Sequence, residues 1–276
     1  MLRLFASDED ALRASAVTML SRMVLPDKVW LKVERQALKD PSPVVRIAAL
    51  TALANVPVSN EERLEILTAA LEANESDVRT HAVEKLGELG SLAEASVSQL
   101  LVSAKGPPST EDYRNSVVMA LGRIGEGAVE AVPFLRSQLD PEMATDIRLQ
   151  SLNALASIGA PAHDALPDLK RLIGGKDQDL RSASLEAFAR IETNEANLIP
   201  VFLEALKDPD PEVRRPVIAG LGQLGERGMG AASTLVDLLE SEPDRKAALE
   251  ALREIRPDNV DLCLRMLTSQ DPGARL

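Results

Sequence analysis

The chain has 276 residues, 45% of them apolar and only 2% aromatic, and a net charge of −12. That acidity weighs against a broad nucleic-acid interface, which needs clustered Lys and Arg. No apolar run reaches the roughly 20 residues of a membrane-spanning helix, so no membrane insertion is expected. A single cysteine, Cys263, excludes an intramolecular disulfide framework.

A recurring pattern organises the whole length. Its sharpest copy is Asp208-Pro-Asp-Pro-Glu-Val-Arg214, followed by an apolar stripe and Gly225. Matching arginines stand at Arg13, Arg46, Arg79, Arg114, Arg148, Arg181, Arg214 and Arg245, spaced by 33, 33, 35, 34, 33, 33 and 31 residues. Such a period marks a stacked-repeat architecture, in which many small Ala, Leu, Val and Ile interfaces replace one large aromatic core.

In chain order, residues 1–5 match the end of a helix like Phe202-Leu-Glu-Ala-Leu206. Two helices then alternate. Second-type (B) helices start near each arginine and run for about 13 residues. First-type (A) helices are expected at about 27–39, 60–72, 92–105, 128–139, 161–173, 195–207, 229–240 and 258–268. Residues 271–276 resemble the opening of a further B helix. Both ends look cut, so 1–276 is expected to be one array within a longer protein.

With each arginine as position zero, +4 reads Val17, Leu50, Val83, Val118, Leu152, Leu185, Ile218 and Leu249. Position +7 reads Leu20, Leu53, Leu86, Leu121, Leu155, Phe188, Leu221 and Leu252, and +10 is apolar throughout. Position −1 is apolar except at Asp244. Steps of three and four residues place these columns on one helical face. Position +6 is mostly small, which suits close approach between neighbouring helices.

Gly90, Gly125, Gly159 and Gly225 at +11 are expected to close their B helices, with Pro57 and Pro257 serving where glycine is missing. Pro26, Ser59, Ser91 and Thr193 are expected to start or cap A helices. Pro133, Pro167 and Pro200 are expected to bend A helices from within, and Pro216 to sit in a first turn. The loop 106–110 is the one irregular connection and a candidate contact loop.

No constellation for chemistry emerges. His81 and His163 have no partner at metal-ligand spacing, and no phosphate loop, nucleophile elbow or His-Glu-x-x-His occurs. No catalytic residue, metal or cofactor is assigned. Cys263, Trp30 and Tyr113 are expected to pack. Opposite the core columns, positions +1, +5 and +9 point outward. These 24 positions hold five basic and five acidic residues. Asn115, Met119, Leu149 and Asn153 would cluster there, with Ile47, Arg123 and Ser157 on the same face. Exposed Met and Leu beside amides suit capture of a peptide or helix.

The Asp-Pro-x-Pro-x-Val-Arg motif at Asp40–Arg46 and Asp208–Arg214, the Leu-Gly-x-Leu/Ile-Gly endings and the A-helix prolines resemble HEAT repeats, of the short bacterial kind also found in phycobilin-lyase-like proteins. The resemblance covers nearly the whole chain. It implies a right-handed all-α solenoid of about eight helix pairs, non-enzymatic, whose concave face of B helices receives a protein or peptide. It also implies that the arginines, Arg46, Arg79, Arg114, Arg148, Arg181 and Arg214 among them, form a structural ladder with acids near the inter-helix turns. Asp40, Glu142 and Asp208 stand six residues before their arginines, whereas Gly175 and Leu239 depart from the pattern. The alternative that the resemblance carries is tetrapyrrole attachment or chaperoning. A DNA glycosylase of similar fold would need a basic concave face, and the hydroxylases of this fold need His-Glu pairs that are absent here. The compartment is not encoded, with the cytoplasm favoured.

Overall fold

The computed structural model describes residues 7–23, 27–56, 58–106, 110–241 and 243–256. The expected helix 258–268 with Cys263, Pro26, Pro57, Pro257, the loop centre 107–109, the two chain ends and the side chain of Trp30 lie outside what is described. Among the described residues every regular element is helical.

The helices are α1 (Asp10–Leu20), α2 (Asp27–Ala37), α3 (Pro43–Ala52), α4 (Asn60–Ala70), α5 (Ser76–Glu88), α6 (Val97–Lys105), α7 (Glu111–Ile124) and α8 (Val132–Ser137). They continue with α9 (Thr145–Ile158), α10 (Leu166–Ile173), α11 (Gln178–Ile191), α12 (Glu195–Ala205), α13 (Pro211–Gln223), α14 (Ala232–Asp237) and α15 (Arg245–Ile255). Two compact units divide the chain, 1–135 and 136–276. Within the first, the B helices α1, α3, α5 and α7 pack in sequence, each neighbour on the next. Within the second, α9, α11, α13 and α15 do the same. The A helices α2, α4, α6, α10, α12 and α14 lie against B helices of their own unit. Each unit is thus a stack of helix pairs, and the fold is an all-α solenoid.

Burial follows the period. All eight residues of the +7 column are buried, from Leu20 to Leu252, and so are seven of the +4 column. Met23, at +10 of the first copy, is 41% exposed, and Met19, at +6, is 54% exposed, because no earlier B helix covers α1 among the described residues. The small +6 residues have a direct cause. A Cβ added at Gly87 would come within 3.0 Å of the Ala120 Cα, and one at Gly222 within 2.9 Å of the Ala251 Cα. Consecutive B helices touch there backbone to backbone, so neither side tolerates bulk.

Glycine at +11 does more than stop a helix. Gly125 and Gly159 hold φ of 73° and 72°, and their N–H groups bond the Leu121 and Leu155 carbonyls. Only glycine enters that region without steric cost. The chain then runs straight into a 3-10 stretch: Gly90–Ser96, Gly125–Ala131, Ala160–Ala165 and Gly225–Ala231. The α-helical parts of these A segments therefore begin later than the periodicity suggests. Pro133 and Pro167 consequently fall in the first turn of α8 and α10, not inside a helix. There the missing N–H would have been unpaired anyway. Pro200 is interior to α12 as expected, and Pro216 proves interior to α13 instead of in its first turn, because that helix already starts at Pro211.

Helices without the glycine start differently. Ser59 and Glu62 form a reciprocal capping box at α4. At α12 the capping side chain is Asn194, which accepts from the Ala196 N–H, not Thr193. Ser91 lies within a 3-10 stretch and caps nothing.

A core position of α2 carries a charge-bearing side chain. Twelve residues before their arginines, Leu67, Leu169 and Phe202 fill the buried face of α4, α10 and α12. In α2 that place belongs to Glu34, which is completely buried and finds no hydrogen-bond partner for either oxygen among the described residues. Desolvation pushes its carboxyl up to about 8.

Candidate interaction surface

The arginine column faces the turns. Arg13 donates through Nε and Nη2 to Asp40 at 2.8 Å each, and Arg181 grips Asp208 the same way at 2.6 and 3.0 Å. Arg46 reaches Glu75 at 2.6 Å and Arg214 reaches Asp244 at 2.8 Å. In every case the carboxylate belongs to the turn of the following helix pair. Arginines of the column also serve their own pair. Nη1 of Arg46 donates to the Pro41 carbonyl at 3.1 Å, and Nη1 of Arg79 to those of Ala73 and Asn74 at 2.8 Å. These carbonyls follow the end of an A helix, where unpaired C=O groups attract a cation.

Asp40 and Asp208 sit in a repeated cradle. Besides the arginine, each accepts a backbone N–H two residues on, from Ser42 and Asp210, both at 2.9 Å. The arginine hydrogen bond, ahead of burial acting in the opposite sense, holds both carboxyls below the usual carboxylate range. The Nε atoms of Arg114 and Arg148 are buried and have no hydrogen-bond partner among the described residues. Asp244 escaped the sequence reading as an acid of this column. Its only sign was being the one polar residue at −1, and it is buried against Arg214.

The outward face of the B helices is as polar as the core is apolar. Every residue at +5 and +9 is exposed, from Thr18 and Arg22 to Glu250 and Glu254. Position +1 is only half-buried at Ile47, Asn115 and Leu149. In the first unit, Asn115, Met119 and Arg123 share one face of α7, and the Asn115 Oδ1 has no hydrogen-bond partner among the described residues. Met119, 40% exposed, joins Arg123 and Ser116 opposite Glu84 and Glu88 of α5 around a hollow of about 190 Å³. Ile47 lies on α3 of the same unit. His81 extends this face: its Nε2 meets the Thr51 hydroxyl at 2.8 Å, and its Nδ1 lies 3.5 Å from Glu84. Burial, then Lys85, lowers its affinity for a proton. In the second unit, Leu149, Asn153 and Ser157 share one face of α9, with Asn153 and Ser157 exposed.

Larger clefts open between A helices, where sequence reasoning did not look. One of about 600 Å³ lies between α2 and α4, and one of about 640 Å³ between α10 and α12. Both open in front of A helices that lack the leading 3-10 stretch. Where that stretch is present, as at Gly90–Ser96, Gly125–Ala131 and Gly225–Ala231, it packs on the preceding A helix of its unit. Among the described residues no group of His, Cys, Asp and Glu could hold a metal ion. None of their helices is long and apolar enough to cross a membrane.

The family model of HEAT repeats matches residues 1–87, 31–122, 108–189 and 170–253. No curated protein matches the sequence. Among solved structures, the YibA protein of E. coli is similar at 17% identity and a TM-score of 0.58, over 92% of this chain and 90% of that one. The karyopherin Kap121p, bound to the extreme C-terminus of the protein phosphatase Cdc14p, is similar at 15% identity and a TM-score of 0.55, over 99% of this chain and 36% of its own. A designed armadillo repeat protein in complex with the peptide (KR)4 shares 18% identity at a TM-score of 0.52, over 70% of this chain and 99% of its own. Identities this low speak for the fold alone, but the family model spans most of the sequence, and the chain belongs to the HEAT-repeat family.

Proposed function

We propose that this chain is a non-enzymatic scaffold whose B-helix face receives a protein or peptide segment. The observation that carries the reading is the even exposure of +5 and +9 on every B helix, with apolar Met119 standing in that exposed row. Core columns account for the buried residues, whereas nothing in the fold requires a thioether at the surface. Contacts are assigned to Ile47, Asn115, Met119 and Arg123 in the first unit, and to Leu149, Asn153 and Ser157 in the second. Kap121p and the designed armadillo protein, which share the solenoid fold, are both seen holding peptide segments. That supports a peptide or protein as the class of partner. The arginine period runs from Arg114 to Arg148 without a break, and this reading treats 1–276 as one array.

The test is affinity capture from the native host with the wild-type chain, followed by titration of the captured partner. Met119→Asp and Leu149→Asp together should remove binding and leave the melting temperature within a few degrees. Undiminished binding by that variant removes the proposal. Binding of duplex DNA that weakens steeply with salt would replace it with a nucleic-acid reading.

A further inference from the structure

Three turns share one backbone hydrogen bond. The N–H of Asp40 bonds the Ala37 carbonyl at 3.1 Å, that of Asp208 bonds Ala205 at 3.1 Å, and that of Gly175 bonds Leu172 at 2.9 Å. Each position stands six residues before an arginine of the repeat and 27 residues after the previous one. At Asp40 and Asp208 the side-chain carboxylate fills a cradle made of the previous arginine and the N–H two residues on. At the third turn the corresponding cradle groups are Arg148 and the Asp177 N–H, but Gly175 brings no carboxylate.

Four arginines whose following turn is described within their own unit, Arg13, Arg46, Arg181 and Arg214, hold a carboxylate from that turn. Arg148 is the fifth, and its Nε is buried with no partner among the described residues. Gly174 and Gly175 bring no side chain to the turn, and a Cβ at Gly175 would stand 2.9 Å from the Leu172 carbonyl oxygen. A nearby acid does not spoil the arrangement: Asp210 caps its helix two residues after Asp208, just as Asp177 does two residues after Gly175.

We propose that Arg148 and the Gly174–Gly175 turn form a carboxylate-binding site, taken by an Asp or Glu side chain of a protein partner. The chemistry is a charge-assisted fork from the guanidinium to both oxygens, completed by one backbone N–H, as two carboxylates of this same chain already show. The site lies on the turn edge of the second unit, apart from the B-helix face, so it stands or falls independently of the contacts assigned there.

The experiment follows backbone amide resonances of the intact chain during titration with a blocked Asp-Pro dipeptide, the pair present at Asp208-Pro209. Asp177 should shift saturably, while Asp210, whose cradle already holds Asp208, should not move. Arg148→Gln should weaken the response at least tenfold. Arg148→Lys, which keeps the charge but loses the fork, should weaken it as well and gives a second reading if Arg148→Gln misfolds. No saturable shift at Asp177, or an undiminished one in both variants, overturns the proposal. Acetate binding as tightly as the dipeptide also overturns it, because the site would then take a free anion and not a partner's side chain.

Discussion

Replacing Glu34 with leucine is expected to stabilise the first unit and to flatten its dependence on pH. The carboxyl ionises near 4.5 in an unfolded chain and at about 8 when buried in α2. At 1.36 kcal/mol for each tenfold change in ionisation, ionising it in place costs roughly 5 kcal/mol. The sign follows from proton binding. Above pH 4.5 the unfolded chain releases this proton while the folded one keeps it. Stability is therefore full below pH 4.5 and falls as pH rises, by up to about 1.4 kcal/mol per pH unit, until both states are ionised near pH 8. Urea denaturation at pH 5.5, 6.5, 7.5 and 8.5, followed by helical circular dichroism and by the fluorescence of Trp30 in α2, measures the slope. Asp40 and Asp208 titrate below this window. His81 acts with the opposite sign but equally in both proteins, so the difference between wild type and Glu34→Leu isolates the carboxyl. Glu34→Gln should also remove the slope without the gain from added apolar burial. Slopes for wild type and Glu34→Leu that agree within about 0.3 kcal/mol over the window would refute the burial argument, given that a shift of that size lies within ordinary surface effects.

Gly222→Ala should cost about 1–3 kcal/mol, because its Cβ would meet the Ala251 backbone at 2.9 Å and force α13 and α15 apart; a melting temperature unchanged within a degree would contradict the backbone contact. Asp208→Asn should lose about 2 kcal/mol at pH 7, the worth of a hydrogen bond to a charged group. Since the Asp208 carboxyl ionises below its ordinary value, its contribution is present above pH 4 and lost as pH falls through the folded value. Acid unfolding should accordingly be less steep in Asp208→Asn than in wild type.

The B helices were legible because their markers are local and repeated. Arginine, three apolar columns and a terminal glycine recur within 12 residues, and burial of Leu86, Leu121 and Leu155 follows directly. The A segments were less so. A 3-10 stretch carries no period of its own in the sequence, which is why Pro133 and Pro167 looked like bends when they open helices. Glu34 was hidden because the place it fills is not uniformly apolar: Leu67, Leu169 and Phe202 hold it in three A helices, but Arg136 and Ser233 hold it in two others. The exposed face could be derived from helical geometry alone. Neighbours across helices, such as Glu84 and Glu88 beside Met119, depend on side-chain reach, which spacing does not encode. Asp244 lay hidden for a related reason: Arg214 selects its acid by position in space, not by a constant offset along the chain.

Because each of these arginines grips its own turn with one nitrogen and the next turn's acid with the others, the natural cassette of this protein is not the helix pair. Excising residues from one A helix to the next, for example from Glu195 up to Gly225, removes Asp208 and Arg214, halves of two pairs, and leaves Arg181 and Asp244 to pair anew. Excision from one arginine to the next, for example from Arg181 up to Arg214, removes Arg181 and Asp208 as an intact pair and leaves Arg214 with Asp244. Duplication or trimming of the array, in a laboratory or a genome, should therefore be tolerated at arginine-to-arginine joints and resisted elsewhere.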